Sequence, residues 1–441
     1  MRSAKVFNLL IFLIFLIVLF SATSYAAGVR EYVLPNGLKV LMTEDHTSPI
    51  AVFQIWYRVG SRDEISGRTG MSHLLEHMMF KGTEKYGPKV LSRTVGRYGG
   101  SDNAGTSRDY TYYHEILPSD RIGLPLEFES DRMRNLVLQE KETLSERSVV
   151  MEERRWRLED DPQGSLFEEV IAEAFMVHPY RWPVLGWRPD LASITREDLA
   201  AYYRKYYSPD NAVIVVAGDI DSDELIGKIG DYFSPIGRGP ERESFVSSEP
   251  QQRGERRVRL RREAELPHVV AAYHTPSFPD ADSAALEVLA TILSDGKSSR
   301  LYKTLVYEKK LALDASASYE GLYKDPFLFF LDATPAPGQD VSGLEEALYA
   351  EVERIKAEPP SEFELQKAKN QIEASFVMEQ DSVFLQAQVL GMFEMLGGWR
   401  LKDAYLEGIR NVTAGDVQRV AAKYVRPENR TVGILVPERA E

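Results

Sequence analysis

Two stretches of the chain repeat one another at a fixed spacing, and no other feature constrains the fold as tightly. Ile194-Thr195-Arg196-Glu197-Asp198-Leu199, followed by Tyr206, Pro209 and Asn211, returns as Val412-Thr413-Ala414-Gly415-Asp416-Val417, followed by Tyr424, Pro427 and Asn429. The offset is 218 residues at every matched position. In each copy a capped helix leads through the Tyr, Pro and Asn into an apolar strand, Ala212 to Ala217 or Thr431 to Val436. A unit that recurs in register over so long a period marks a duplicated domain. The expected fold is therefore α+β in two homologous halves, 29–236 and 257–441, each a mixed or antiparallel sheet backed by helices and related by an approximate twofold. Each half is expected to end in the same helix and strand. Between them, residues 237–256 are polar, charged and interrupted by Gly and Pro, the composition of a linker.

A chain of 441 residues exceeds one ordinary core, which agrees with the duplication. Its first residues follow a secretory order: Arg2 and Lys5, the apolar run Leu9 to Phe20, then small residues through Ser24-Tyr25-Ala26. The apolar run is short for a bilayer span, so residues 1–26 read as a signal peptide cleaved near Ala26 and the mature protein as periplasmic or secreted. An uncleaved anchor is the alternative. Losing Arg2 and Lys5 with no acid moves the net charge from −14 to −16, a balance that argues against a nucleic-acid surface. The chain has no Cys, which excludes disulfides, thiolate metal ligands and a Cys-linked lipid. Any metal site must be built from His and carboxylates.

Asn36-Gly37 is a turn signal ahead of Lys39 to Met42, and Ala51 to Val59 is a second β-rich run, so a strand pair is expected to open the mature protein. Helical spacing appears from Thr69 to Lys81, stopped by Gly82, and again from Ser119 to about Leu158.

His73-Leu74-Leu75-Glu76-His77 lies inside the first of these helices. At 3.6 residues per turn, two His four apart sit about 40° apart around the axis, so both imidazoles can reach one metal ion. Glu76 projects from roughly the same side, close enough to act on water without being a ligand. This is the inverted order of the thermolysin-type sequence. Catalytic zinc commonly keeps three protein ligands, and the segment Glu146-Arg147-Ser148-Val149-Val150-Met151-Glu152-Glu153 offers three further acids. Glu146 and Glu153, seven apart, share a helix face, while Glu152 points about 100° from Glu153.

Gly70 to His77, with Glu153 placed 76 residues after His77, resembles the pitrilysin and insulysin family of zinc peptidases. In length the chain is most similar to the short branch that includes the mitochondrial processing peptidase subunits. Leu34-Pro35-Asn36-Gly37-Leu38, Asn103-Ala104 with Thr106 and Asp109, and His178-Pro179-Tyr180 also fall where that family has similar residues. The resemblance implies a zinc endopeptidase working inside a closed chamber, with one Zn2+ per chain held by His73, His77 and Glu153. It implies Glu76 as general base and Glu146 as an acid that steadies the metal site. It places Asn103 and Ala104 on an exposed edge strand that holds the substrate backbone. A scaffold subunit of the same fold is the competing reading, against which the intact His73, Glu76, His77 and Glu153 set speaks.

The remaining His are assigned structural roles: His46 in a turn-rich stretch, His114 among Tyr110, Tyr112 and Tyr113, and His268 and His274 on an alternating strand. They are not expected to form a second constellation. Gly99-Gly100-Ser101-Asp102 lacks the Lys and helix start of a phosphate loop. In the resembled family the second half carries an Arg and, seven residues on, a Tyr that face the zinc. In the matching register here stand Val306 and Leu313, neither of which can donate a hydrogen bond from its side chain. The resemblance thus implies a homologous partner chain that supplies the Arg and Tyr. A homodimer using Arg300 and Tyr307, which share the same separation, is the alternative.

Overall fold

The computed structural model describes residues 28–242 and 247–438, so the segment read as a signal peptide lies outside the described residues. No helix among the described residues is long and apolar enough to cross a membrane.

Among the described residues the first half holds six strands: β1 (Val29–Val33), β2 (Lys39–Glu44), β3 (Ile50–Tyr57), β4 (Ser101–Thr106), β5 (Thr111–Pro118) and β6 (Ala212–Gly218). The second holds five: β7 (Arg256–Glu263), β8 (His268–Thr275), β9 (Ala312–Tyr319), β10 (Phe327–Pro335) and β11 (Arg430–Glu438). Their orders are β1-β2-β6-β3-β5-β4 and β7-β11-β8-β10-β9. Remove β1 and the two sheets coincide strand for strand. In both, the late strand enters parallel to one early strand and antiparallel to the other, β6 between β2 and β3 and β11 between β7 and β8. The duplicated stretch therefore supplies the strand inserted between the two early strands of each sheet. Thr195 and Thr413 cap its two helices in the same way, each closing a capping box with Asp198 or Asp416.

Three expectations need correction. Lys39 to Met42 and the run after Ala51 form strands but not a pair, because β6 lies between them; the hairpin joins β1 to β2 around Asn36-Gly37. Each run shows its own burial pattern, and neither names its neighbour. The long helical segment breaks into Gly123–Asn135 and Glu140–Arg154, because Leu136 bridges to Thr83 and the Val137 N–H donates to the Gly82 carbonyl. The first half does not end at its repeated strand but continues in the helix Ser222–Phe233.

Each sheet is covered on both faces, which is why β6 and β3 read as nearly unbroken apolar runs. One face packs on helices of its own half. The other is covered by a helix from the opposite half: Val383–Leu396 lays Ala387, Leu390 and Met395 on Val52, Trp56, Val213 and Val215. Reciprocally, Pro162–Ala174 lays Leu166, Val170 and Ala174 on Val270, Ala272, Leu328 and Leu435. The halves thus hold each other by exchanging one helix. The approach is so close at Gly391 that a Cβ there would lie 2.2 Å from Trp56 Cε2. Polar ties add to this, with Glu394 accepting from Lys39 and Arg58 at 2.9 and 3.0 Å and His274 bonding the Ala174 carbonyl at 2.8 Å. Within the stretch read as a linker, Glu249 accepts the N–H groups of Met176, Val177 and His178 of the first half, and Gln252 donates to the Arg430 carbonyl of the second.

Candidate metal centre

The helix Met71–Met79 carries His73, Glu76 and His77, and the helix Glu140–Arg154 carries Glu146 and Glu153; the two pack together. Gly70 precedes the first helix at φ 90°, and a Cβ there would sit 2.8 Å from the Leu185 carbonyl, so only Gly fits this entry. The fully buried Glu64 completes it by accepting the Gly70 and Ser72 N–H groups, both at 2.7 Å, which satisfies donors that a helix start leaves free. Burial pushes the Glu64 carboxyl up to about 8 against these hydrogen bonds.

His73, His77 and Glu153 place one donor atom each within 4.8 Å of one another. His77 Nε2 lies 3.3 Å and His73 Nε2 3.8 Å from Glu153 Oε2. Ligands on a tetrahedral ion with bonds of about 2.0 Å are about 3.3 Å apart, so the set is close to closed around such an ion. Glu152, left open beside Glu153 by the residues alone, instead pairs with Arg155 at 3.0 Å and is largely exposed. Glu146 Oε2 lies 3.3 Å from His77 Nδ1, which turns Nε2 toward Glu153, and the Lys81 ammonium sits 2.5 Å from Glu146 Oε1. Arg157 lies 3.1 Å from Glu153 Oε1, the oxygen turned from the imidazoles.

Glu76 is buried, and Thr106 Oγ1 donates to its Oε2 at 2.5 Å. Burial raises its carboxyl above the ordinary range, the Thr106 hydrogen bond opposing. Burial, together with the neighbouring His77, lowers His73 to about 4. Thr106 belongs to β4, which among the described residues pairs only with β5 and so leaves one edge unpaired at the end of its sheet. Asn103 and Ala104 lie on that strand; the Asn103 side chain is exposed and its Oδ1 accepts the Ala104 N–H.

The profile of the family described as "Insulinase (Peptidase family M16)" matches residues 39–187, and that described as "Peptidase M16 inactive domain" matches residues 193–372. The "Zinc protease PqqE" of Helicobacter pylori is 31% identical over 94% of this chain and 94% of its own length. The chain belongs to peptidase family M16. The "Probable mitochondrial-processing peptidase subunit beta, mitochondrial" of Arabidopsis thaliana is 28% identical over 93% of this chain and 79% of that one, which sets this M16 chain in the short branch. The crystal structure of a protease from Helicobacter pylori superimposes with a TM-score of 0.89 at 30% identity, covering 93% of this chain and 99% of that one. These relatives are named as zinc proteases or processing-peptidase subunits, and this M16 chain is zinc-protease-like.

Sequence reasoning missed Glu64, whose only local signal is an acid shortly before a Gly at a helix start. It also gave no role to Asp109 and His178-Pro179-Tyr180. In the folded M16 chain these join the halves around Arg62, which pairs with Asp109 at 3.0 Å and Asp325 at 2.5 Å. The Tyr180 hydroxyl donates to Asp109, and His178 Nε2 lies 3.1 Å from Asp325. In the second half Val306 is half-buried and Leu313 exposed; Arg300 is held by Glu364 through two hydrogen bonds at 2.7 and 3.0 Å, while Tyr307 is exposed. One expectation fails: His268 does form a second group, with Asp314 and Asp332.

Proposed function

We propose that this chain is a zinc-dependent endopeptidase acting on peptides or unfolded segments, and the zinc-bearing member of a pair of homologous subunits. The observation that carries the reading is the meeting of two imidazoles and one carboxylate within 4.8 Å, with the buried carboxylate of Glu76 on the same helix. Nitrogen and oxygen donors in this number suit zinc with one position left open. A zinc ion held by His73, His77 and Glu153 would supply Lewis acidity to a peptide carbonyl and acidify water. Glu76, held by Thr106, takes a proton from the attacking water and passes it to the leaving amine; its raised pKa suits a group that must do both. The free edge of β4 receives the substrate as an added strand, with Asn103 and Ala104 along it.

Val306 and Leu313 offer no donor to a developing oxyanion, and the Arg300 guanidinium is already engaged by Glu364. A homologous partner that supplies the Arg and Tyr accounts for this better than a homodimer. Residues 1–26 would carry the chain to an exported compartment; an intact Met1 in mature protein would overturn that.

The test is direct. The purified chain is expected to hold about one zinc at this centre, and Glu76→Gln to keep the zinc while losing cleavage of an unstructured peptide by the chain with its partner. Turnover by Glu76→Gln equal to the parent's would refute the general-base role, and a parent without zinc would favour a scaffold. The lone chain should be about 10²–10³ slower than the pair, the usual cost of a missing oxyanion donor.

A further inference from the structure

A second group of ligand-type side chains lies in the second half. His268 opens β8, Asp332 and Thr334 lie on β10, and Asp314 and Ser316 lie on β9, three strands side by side. Asp314 stands opposite Thr334 and Asp332 opposite Ser316 across the ladder, so all share one sheet face. It is the face covered by the helix Pro162–Ala174. One donor atom from each of His268, Asp314 and Asp332 lies within 4.8 Å of the other two.

Buried His268 and half-buried Asp332 are each oriented by a neighbour that leaves one donor free. His268 is 2% exposed, and its Nδ1 lies 2.9 Å from Thr334 Oγ1. With Nδ1–H donating to that hydroxyl, the lone pair is on Nε2. Nε2 makes no hydrogen bond among the described residues and points toward Asp332 Oδ2 at 3.6 Å. That is too long for a hydrogen bond but near the ~3.3 Å between two ligands of a tetrahedral ion. Asp332 has its Oδ1 occupied by the Ser316 hydroxyl, so Oδ2 is the free oxygen. Asp314 is exposed and gives the group a side open to solvent. A buried ring nitrogen with no partner costs free energy unless something is bound to it.

We propose that His268, Asp314 and Asp332 form a second site for a divalent transition ion of the zinc type, which ties β8, β9 and β10 together beneath the Pro162–Ala174 helix. The imidazole selects against calcium and magnesium, and carboxylates without thiolate select against softer ions. Thr334 and Ser316 are positioning residues for His268 and Asp332. The site contains no group of the His73 centre and does not depend on peptidase activity.

The experiment uses the full chain with His73→Ala and His77→Ala, which removes the first centre. Equilibrium dialysis against micromolar Co2+ or Zn2+ should leave about one ion per chain, with a cobalt visible spectrum characteristic of few, nitrogen- and oxygen-type ligands. Adding Asp314→Asn should weaken that binding at least about tenfold, and adding His268→Gln should abolish it. Because Asp314 is exposed, its variant will fold even if the buried His268→Gln does not. Less than a stoichiometric ion in the background chain, or binding unmoved by Asp314→Asn, would overturn the proposal. Neither result bears on the first centre, which the background chain lacks.

Discussion

Replacing Arg62 by Met should loosen the two halves by an amount that the structure allows to be worked out. Arg62 is 7% exposed and lies 3.0 Å from Asp109, itself 8% exposed, and 2.5 Å from Asp325 in the other half. At an effective dielectric of about 20, one such pair at 3 Å is worth about 5 kcal/mol of raw attraction, most of it offset by the desolvation of both ions. Removing one partner exposes the other to the full cost of an unpaired buried charge, typically about 3–5 kcal/mol. Here the losses are softened. Asp109 keeps the Tyr180 hydroxyl and the Lys324 N–H, and Asp325 keeps His178, so the lower end, about 3 kcal/mol, is expected. The assay is hydrogen–deuterium exchange of the peptide carrying Lys324 and Asp325, whose N–H groups are held by Asp109 and Tyr180 at 3.0 and 3.1 Å. About 3 kcal/mol should speed their exchange roughly 100-fold if local opening governs it. Arg188→Met, which breaks an exposed pair with Glu159, serves as control and should cost under about 1 kcal/mol. Exchange within threefold of the parent in Arg62→Met would show that the network is not what joins the halves at this point.

Gly391→Ala drives a Cβ against Trp56, which cannot retreat because it is fully buried, bonded to Gln54 at 2.9 Å and stacked on Tyr112, so denaturant melts should show a loss of about 1–3 kcal/mol. Glu64→Ala leaves the Gly70 and Ser72 N–H groups buried without an acceptor, at about 1–3 kcal/mol, and should weaken zinc retention measured by competition with a chelator; retention equal to the parent's would remove Glu64 from the site's support. Burial works against ionisation of Asp282, yet Lys423, Tyr424 and Arg419 hold its carboxyl down to about 2. A depressed acid stabilises the fold above its unfolded pKa, near 4, and loses that contribution as pH falls from there toward 2; Asp282→Asn should flatten the acid limb of a stability–pH curve, and an unchanged limb would contradict the assignment.

The sequence by itself determined whatever depends on local period or on internal comparison. The spacing of His73 and His77 fixes both rings on one helix face because 3.6 residues make a turn, and the helix forms as that spacing requires. The 218-residue repeat announced two copies of one sheet, and the strand orders match once β1 is set aside. Glu153 was legible only with help from a resemblance. Its neighbour Glu152 is as acidic, and what separates them is the rotation of their helix against the one carrying His73, a packing outcome. Tertiary structure alone decided the rest. The insertion of β6 between β2 and β3, the break at Leu136, the reciprocal exchange of the helices Pro162–Ala174 and Val383–Leu396, and the Arg62 network all join residues far apart in the chain. So does the meeting of His268 with Asp314 and Asp332, on three strands whose order no single strand encodes. An apolar run reports that it will be buried, since burial follows from its own side chains; which surface buries it depends on the shape of every other element, and that is settled only when the whole chain packs.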